Sequence, residues 1–272
     1  MAHGETISTN MRALSQQLVL REDRGAVRVL TMNRPESRNA LNTDLIGALH
    51  AALTHADRDA SVRAVVLTGA DPAFCAGLDL KQVQRDGSAY FDRLHAENCI
   101  TKVAQLGKPV LGAINGAAIT GGMEMALGCD FLVASDLAVF ADTHARVGIL
   151  PGAGMTARLP QLVGAGMARR LSMTSEVIDA ARAEAIGVVT EVVAHAQLLD
   201  RTVELATQIC EVPAPVMQGL KAIYVAGTAA IIDPALAAEQ TIAAAAERDT
   251  DGLGERYRQV VERNRRQIRP LS

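Results

Sequence analysis

Glu124 and the two glycines before it are the residues best placed to do chemistry. They lie in the stretch Asn115-Gly-Ala-Ala-Ile-Thr-Gly-Gly-Met-Glu-Met-Ala-Leu-Gly-Cys-Asp130. An apolar run, Val110–Ile114, leads in and suits a buried strand. Gly121 and Gly122 let the backbone turn tightly. A helix starting there offers free N–H groups and the positive end of its dipole. Those features suit an oxygen that becomes anionic during reaction. Glu124 falls in the first helical turn, a general acid/base beside backbone donors. The plain alternative is a turn followed by a carboxylate that steadies the helix dipole.

A second turn of similar kind follows the apolar strand Ala64–Thr68. It reads Gly69-Ala-Asp-Pro-Ala-Phe-Cys-Ala76-Gly77-Leu78-Asp79-Leu80, in the position where binding loops sit in a βα fold. Two such turns, at Ala76-Gly77 and Gly121-Gly122, place one N–H each on a single carbonyl oxygen.

The elements that must hold these turns are readable around them. Gln17–Arg21 and Ala26–Met32 read as strands joined by a turn at Asp23-Arg-Gly25. Thr43 caps a helix over Asp44–Ala56 with Leu45, Leu49 and Leu53 on its apolar face. Ser88–Leu106 reads as helical, and Lys108-Pro109 breaks the pattern. Gly152–Gly154 and Arg158–Pro160 form a turn and helix, followed by a helix over Ala165–Met173. Ile178–Gly187 reads as a helix ended by glycine and Val188–Val193 as a strand. Beyond Gln197 the pattern is helical over Leu198–Cys210, Pro215–Ala226, Pro234–Arg248 and Leu253–Arg266. The Arg-rich end, Arg256–Arg269, reads as a solvated or inter-subunit face.

Composition narrows the classes. The 272 residues are 49% hydrophobic and 21% charged, with net charge −3. That is a globular composition with no general attraction to nucleic acid. No apolar run is read as a membrane span, and the first ten residues lack a signal-peptide core. Cys75, Cys99, Cys129 and Cys210 lack metal-ligand spacing and read as reduced thiols of a cytoplasmic protein.

The chain resembles the crotonase, or enoyl-CoA hydratase/isomerase, superfamily. The resemblance rests on Asn33-Arg-Pro-Glu36 with Asn39-Ala-Leu-Asn42, Phe74-Cys-Ala-Gly-Leu-Asp79 and Lys108-Pro-Val110. It continues through Asn115-Gly116, Gly121–Asp130, Phe140, Gly148, Pro151-Gly152 and Arg158-Leu-Pro160. It implies an α/β fold: a spiral core of repeated ββα units over 17–196, after a leader at 1–16. An α-helical oligomerisation region follows over 197–272. It also implies a homotrimer or a dimer of trimers acting on an acyl-CoA thioester. Neither metal nor cofactor is implied, since coenzyme A is part of the substrate.

Carried over by position, the resemblance makes Ala76 and Gly121 the oxyanion donors and Glu124 the main acid/base. It puts Arg38, Ala40, Ala76, Gly77, Leu78, Asp79, Leu80, Gly121 and Gly122 along the acyl-CoA. The implied reaction is addition of water to a trans-2-enoyl-CoA. Hydratases of this family use a second glutamate, and here its place is taken by Thr143-His144. His144 then has three readings: an imidazole replacing the carboxylate, a change of reaction toward isomerisation, hydrolysis or decarboxylation, or a passive wall residue. The last would leave an acyl-CoA-binding protein without turnover. Asp142 is a second carboxylate nearby, or a turn residue. Thr120 and Met155 stand where glycine is common in the family, and His95 falls in the helix that usually borders the acyl pocket.

Overall fold

The computed structural model describes residues 17–246 and 252–268. The leader at 1–16 and the tail beyond 268 lie outside them. Two sheets organise the described residues. The larger has six strands in the order β1 (Val19–Arg24), β2 (Val27–Met32), β3 (Ala64–Gly69), β5 (Val110–Ile114), β7 (Phe131–Ser135) and β10 (Glu191–Val193). The smaller has four, β4 (Ala73–Cys75), β6 (Ala117–Ile119), β8 (Val139–Ala141) and β9 (Ile178–Asp179). Consecutive pairs β3/β4, β5/β6 and β7/β8 each give one strand to each sheet, and helices join the pairs. This is the ββα repeat of a spiral fold.

β3 and β5 are buried along their whole length, as all-apolar strands covered on both faces must be. Helix Thr43–Arg58 lays Leu45, Leu49 and Leu53 into the core at one-turn spacing. Its cap is Asn42, whose side chain accepts from Leu45 N–H, so the expected Thr43 cap lies one residue too late. The single helix expected over 88–106 is two, Ser88–Ala96 and Cys99–Ala104. Asn98 divides them by accepting from the N–H groups of Ile100 and Thr101, starting a new helix in place of continuing the old. Helix Leu80–Asp86, capped by Asp79, and strands β6 to β9 were not anticipated.

The C-terminal region differs most from expectation. Pro234 does not start a helix but lies inside a single one, Ala214–Ala245. By length and composition this helix is apolar enough to cross a membrane, which corrects the reading that no such run exists. Much of it is exposed, including Val216, Leu220, Ile223 and Tyr224. The Arg-rich helix Leu253–Ile268 is not purely a solvated face. Arg256 Nε donates to Val147 O at 3.0 Å and Arg263 Nη1 to Ser175 O at 2.6 Å, so the helix is tied down over the core.

What positions the site is the smaller sheet. β4, β6 and β8 run parallel as neighbours. Their C-terminal ends therefore lie side by side and open into Ala76–Leu78, Thr120-Gly121 and Asp142–His144 respectively. The turns are packed without slack. A Cβ on Gly122 would sit 2.1 Å from the Cys75 carbonyl oxygen. Gly122→Ala should therefore lower stability by about 1–3 kcal/mol in denaturant unfolding. Gly166→Ala, with open space around it in helix Met155–Thr174, should be neutral or slightly stabilising.

Candidate active site

The turn after β4 has a definite hydrogen-bond pattern. Ala76 N–H donates to Arg38 O at 3.0 Å. It is therefore spent, and the expectation that Ala76 supplies an oxyanion donor is wrong. Leu41 N–H takes Gly77 O and Asp79 N–H takes Leu41 O, both across the same bridge. Between them Leu78 N–H has no acceptor among the described residues. Gly77 at φ +87° makes the turn that exposes it. Gly121 N–H, the first of helix Gly121–Leu127, is likewise unclaimed. The two turns touch: a Cβ on Gly77 would lie 3.4 Å from Gly121 N. The two neighbouring N–H groups left without an acceptor are thus those of Leu78 and Gly121.

Glu124, on the same short helix, is buried at 3% exposure. Its Oε1 accepts from Ala153 N–H at 2.9 Å and Met155 N–H at 3.2 Å. Its Oε2 faces His144 Nε2 at 3.6 Å. On the far side of the ring, His144 Nδ1 is 2.7 Å from Asp142 Oδ1, and His144 N–H reaches the same oxygen at 3.1 Å. Asp142, His144 and Glu124 thus form one buried line.

Their charges are mutually adjusted. Burial pushes the Glu124 carboxyl upward, against the opposing pull of His144. Burial alone would lower His144, but the charge of Glu124 and the Asp142 hydrogen bond outweigh it, and the imidazole is raised. Burial would also raise Asp142, yet the His144 hydrogen bond and charge hold it below the usual range. Asp142 Oδ1 therefore accepts from Nδ1–H, which leaves Nε2 as the ring edge that faces Glu124.

A cavity with mainly apolar walls opens in front of His144. Leu78, Ile119 and Thr120 form one side and Val147 and Ile149 another. Tyr257, Val260 and Val261 of the last helix form the roof. Toward solvent it continues past Arg38, Ala40, Asp79, Leu80 and Lys81, with Arg258 and Arg265 opposite. Sequence reasoning missed the roof, because nothing local in Leu253–Ile268 says what the helix lies upon. Lys81 was also missed.

Other expected residues fall into supporting places. Gly122 touches the Cys75 backbone and does not line the cavity. Asp79 lines the mouth but spends its carboxylate on Arg34 at 3.2 Å and on capping its helix. Met155 packs in the core and not along the cavity, and His95 is exposed on its helix. Thr120 does reach the cavity, at φ 54°, ψ −116°, a backbone state costly for a β-branched residue. Its hydroxyl lies 3.1 Å from that of Thr143, which also lines the cavity.

A family model described as enoyl-CoA hydratase/isomerase matches residues 22–258. The chain belongs to that family. It is 39% identical to a probable enoyl-CoA hydratase of Rhizobium meliloti (strain 1021), over 74% of this chain and 79% of that one. It is 37% identical to a short-chain-enoyl-CoA hydratase of Clostridium acetobutylicum, over 81% and 86%. A crystal structure of enoyl-CoA hydratase from Mycobacterium smegmatis superposes with TM-score 0.74 at 45% identity, covering 83% of this chain and 96% of that one. A monofunctional enoyl CoA isomerase from M. smegmatis superposes with TM-score 0.69 at 31% identity, covering 78% and 94%. Hydratase and isomerase relatives thus share the fold, which supports the crotonase-type architecture expected from the sequence.

The charge assignment is open to a direct check. The His144 ring should titrate above the ordinary value of about 6.5 when followed by NMR of its Cε1–H. Asp142→Asn should bring the midpoint down. A wild-type midpoint at or below the ordinary value would contradict the assignment.

Proposed function

We propose that this enzyme adds water to a trans-2-enoyl-CoA, with Glu124 and His144 as its acid/base pair. One observation carries the reading. A buried carboxylate and imidazole stand 3.6 Å apart behind an apolar cavity, beside two unclaimed backbone N–H groups. The thioester carbonyl would sit between Leu78 N–H and Gly121 N–H, where charge develops as the C2–C3 double bond accepts a nucleophile. Water would be held in the cavity against His144, which lines it, and within reach of Glu124 behind.

The steps balance. The Glu124 carboxylate takes a proton from water as its oxygen bonds to C3. The π electrons move through C2 onto the thioester oxygen. Their return bonds C2 to the proton given up by His144 Nε2. Transfer of the proton from Glu124 to His144 then restores the pair. Asp142 keeps the imidazole oriented and basic enough to be recharged. No electrons are gained or lost overall, and coenzyme A remains on the acyl group. Arg38, Lys81 and Arg265 supply cations at the mouth for the CoA phosphates.

A second reading is favoured by one feature. A carboxylate facing an imidazole at 3.6 Å also suffices to move a double bond, removing a proton at one carbon and returning it at another. Parallel assays with 2-enoyl and 3-enoyl thioesters separate the two. We also propose that the exposed apolar residues of Ala214–Ala245 are covered by further copies of the chain, as a homotrimer or a dimer of trimers. Light scattering on the eluted peak would give the mass of three or six chains, and a monomer would refute this.

Glu124→Gln should lower turnover of a trans-2-enoyl-CoA by on the order of 10²- to 10⁴-fold, measured as loss of enoyl absorbance. Acyl-CoA binding measured by calorimetry should be kept. Unchanged turnover would remove Glu124 from the mechanism. Binding with no turnover in the wild type would leave an acyl-CoA-binding protein.

A further inference from the structure

The segment that holds Glu124 is itself held from far along the chain. Ala153 N–H and Met155 N–H donate to Glu124 Oε1. The alternate amides, Gly154 N–H and Thr156 N–H, donate to Glu239, at 2.6 Å to Oε1 and 2.7 Å to Oε2. Thr156 Oγ1 adds a third bond to Oε2 at 2.5 Å. Two carboxylates thus divide four consecutive amides at the start of helix Met155–Thr174. These donors are the ones a helix start leaves unpaired. Glu239 is buried at 7% exposure although it lies on the mostly exposed helix Ala214–Ala245. Its charge is matched by these donors, with the half-buried Arg158 nearby, whose Nη1 donates to Ala153 O at 3.0 Å.

We infer that Glu239 is a positioning residue for the acid/base carboxylate: by fixing Gly154 and Thr156 it fixes the neighbouring Ala153 and Met155 amides, which hold Glu124 opposite His144. This rests on the reading of Glu124 given above. The arrangement ties the proton-transfer pair to the long apolar helix, so the seating of that helix sets the Glu124–His144 geometry. It also sets charge. Glu239 raises both Glu124 and His144 by repelling or attracting across the cluster. The other charged groups are Asp142, against His144, and Arg158, which feels the charges of Glu239, Glu124 and Asp233.

Glu239→Gln puts an amide donor against the donors of residue 154 or residue 156 and removes the charge. Its kcat should fall on the order of 10- to 100-fold with KM for the acyl-CoA little changed. With the negative charge gone, Glu124 and His144 both lose protons more readily, so the pH–rate profile should move to lower pH. Glu239→Asp keeps the charge but not the reach, and should keep the pH profile while lowering kcat. If Glu239→Gln does not fold, Thr156→Val removes one bond and should give a smaller fall in kcat at constant KM. A helix cap with no further role predicts a lower melting temperature with kcat and pH profile unchanged, and that result would overturn the inference. Glu124→Gln is run alongside. If it stays active, the reading of Glu124 fails. If it is inactive while Glu239→Gln keeps wild-type kcat and profile, the inference alone fails.

Discussion

The parallel pairing of β4, β6 and β8 is the constraint on which the site depends. A strand's C-terminal end is where its next turn begins, and neighbouring parallel strands bring those ends together. Here that registry sets the Leu78 turn beside Gly121 and the Gly121 helix beside Asp142–His144. Thr120 N–H donates to Ala141 O at 2.9 Å, carrying the pairing to the edge of the site. A slip in register would separate the two donors and move Glu124 away from His144 together. The glycines are consequences of this closeness. Gly77 has to turn with positive φ, and Gly122 has to pass the Cys75 carbonyl.

The second governing feature is a polar cluster in a dry place. Burying carboxylates is costly unless each is hydrogen-bonded or paired. The chain meets that cost with backbone amides for Glu124 and Glu239 and with an imidazole shared by Glu124 and Asp142. The result is a carboxylate and an imidazole that face each other at 3.6 Å with both groups raised and Asp142 held below its usual range. A carboxylate–imidazole pair of this kind transfers protons without solvent reorganising around it, which suits chemistry at an apolar acyl chain.

Much of this was legible in the sequence because it is local. The Gly121-Gly122 turn, the early-turn Glu124 and the displacement of a glutamate by His144 are all read within a few residues. What was not legible is decided by partners distant in the chain. Ala76 and Leu78 are equivalent as turn residues, and only the bond from Ala76 N–H to Arg38 O shows which N–H is left for a substrate. Glu239 carried no signal beyond being one carboxylate in an alanine-rich helix. The roof residues Tyr257, Val260 and Val261 acquire their role from where the last helix lies. Pro234 misled because a helix apolar on every side offers no periodicity against which to judge a break.

The most direct test of the central claim is to incubate the enzyme with a trans-2-enoyl-CoA in water enriched in oxygen-18 and analyse the acyl-CoA by mass spectrometry. The account predicts gain of one water with the heavy oxygen at C3, in proportion to enzyme. An acyl-CoA of unchanged mass with its double bond moved, or with nothing altered while the thioester is bound, would contradict it.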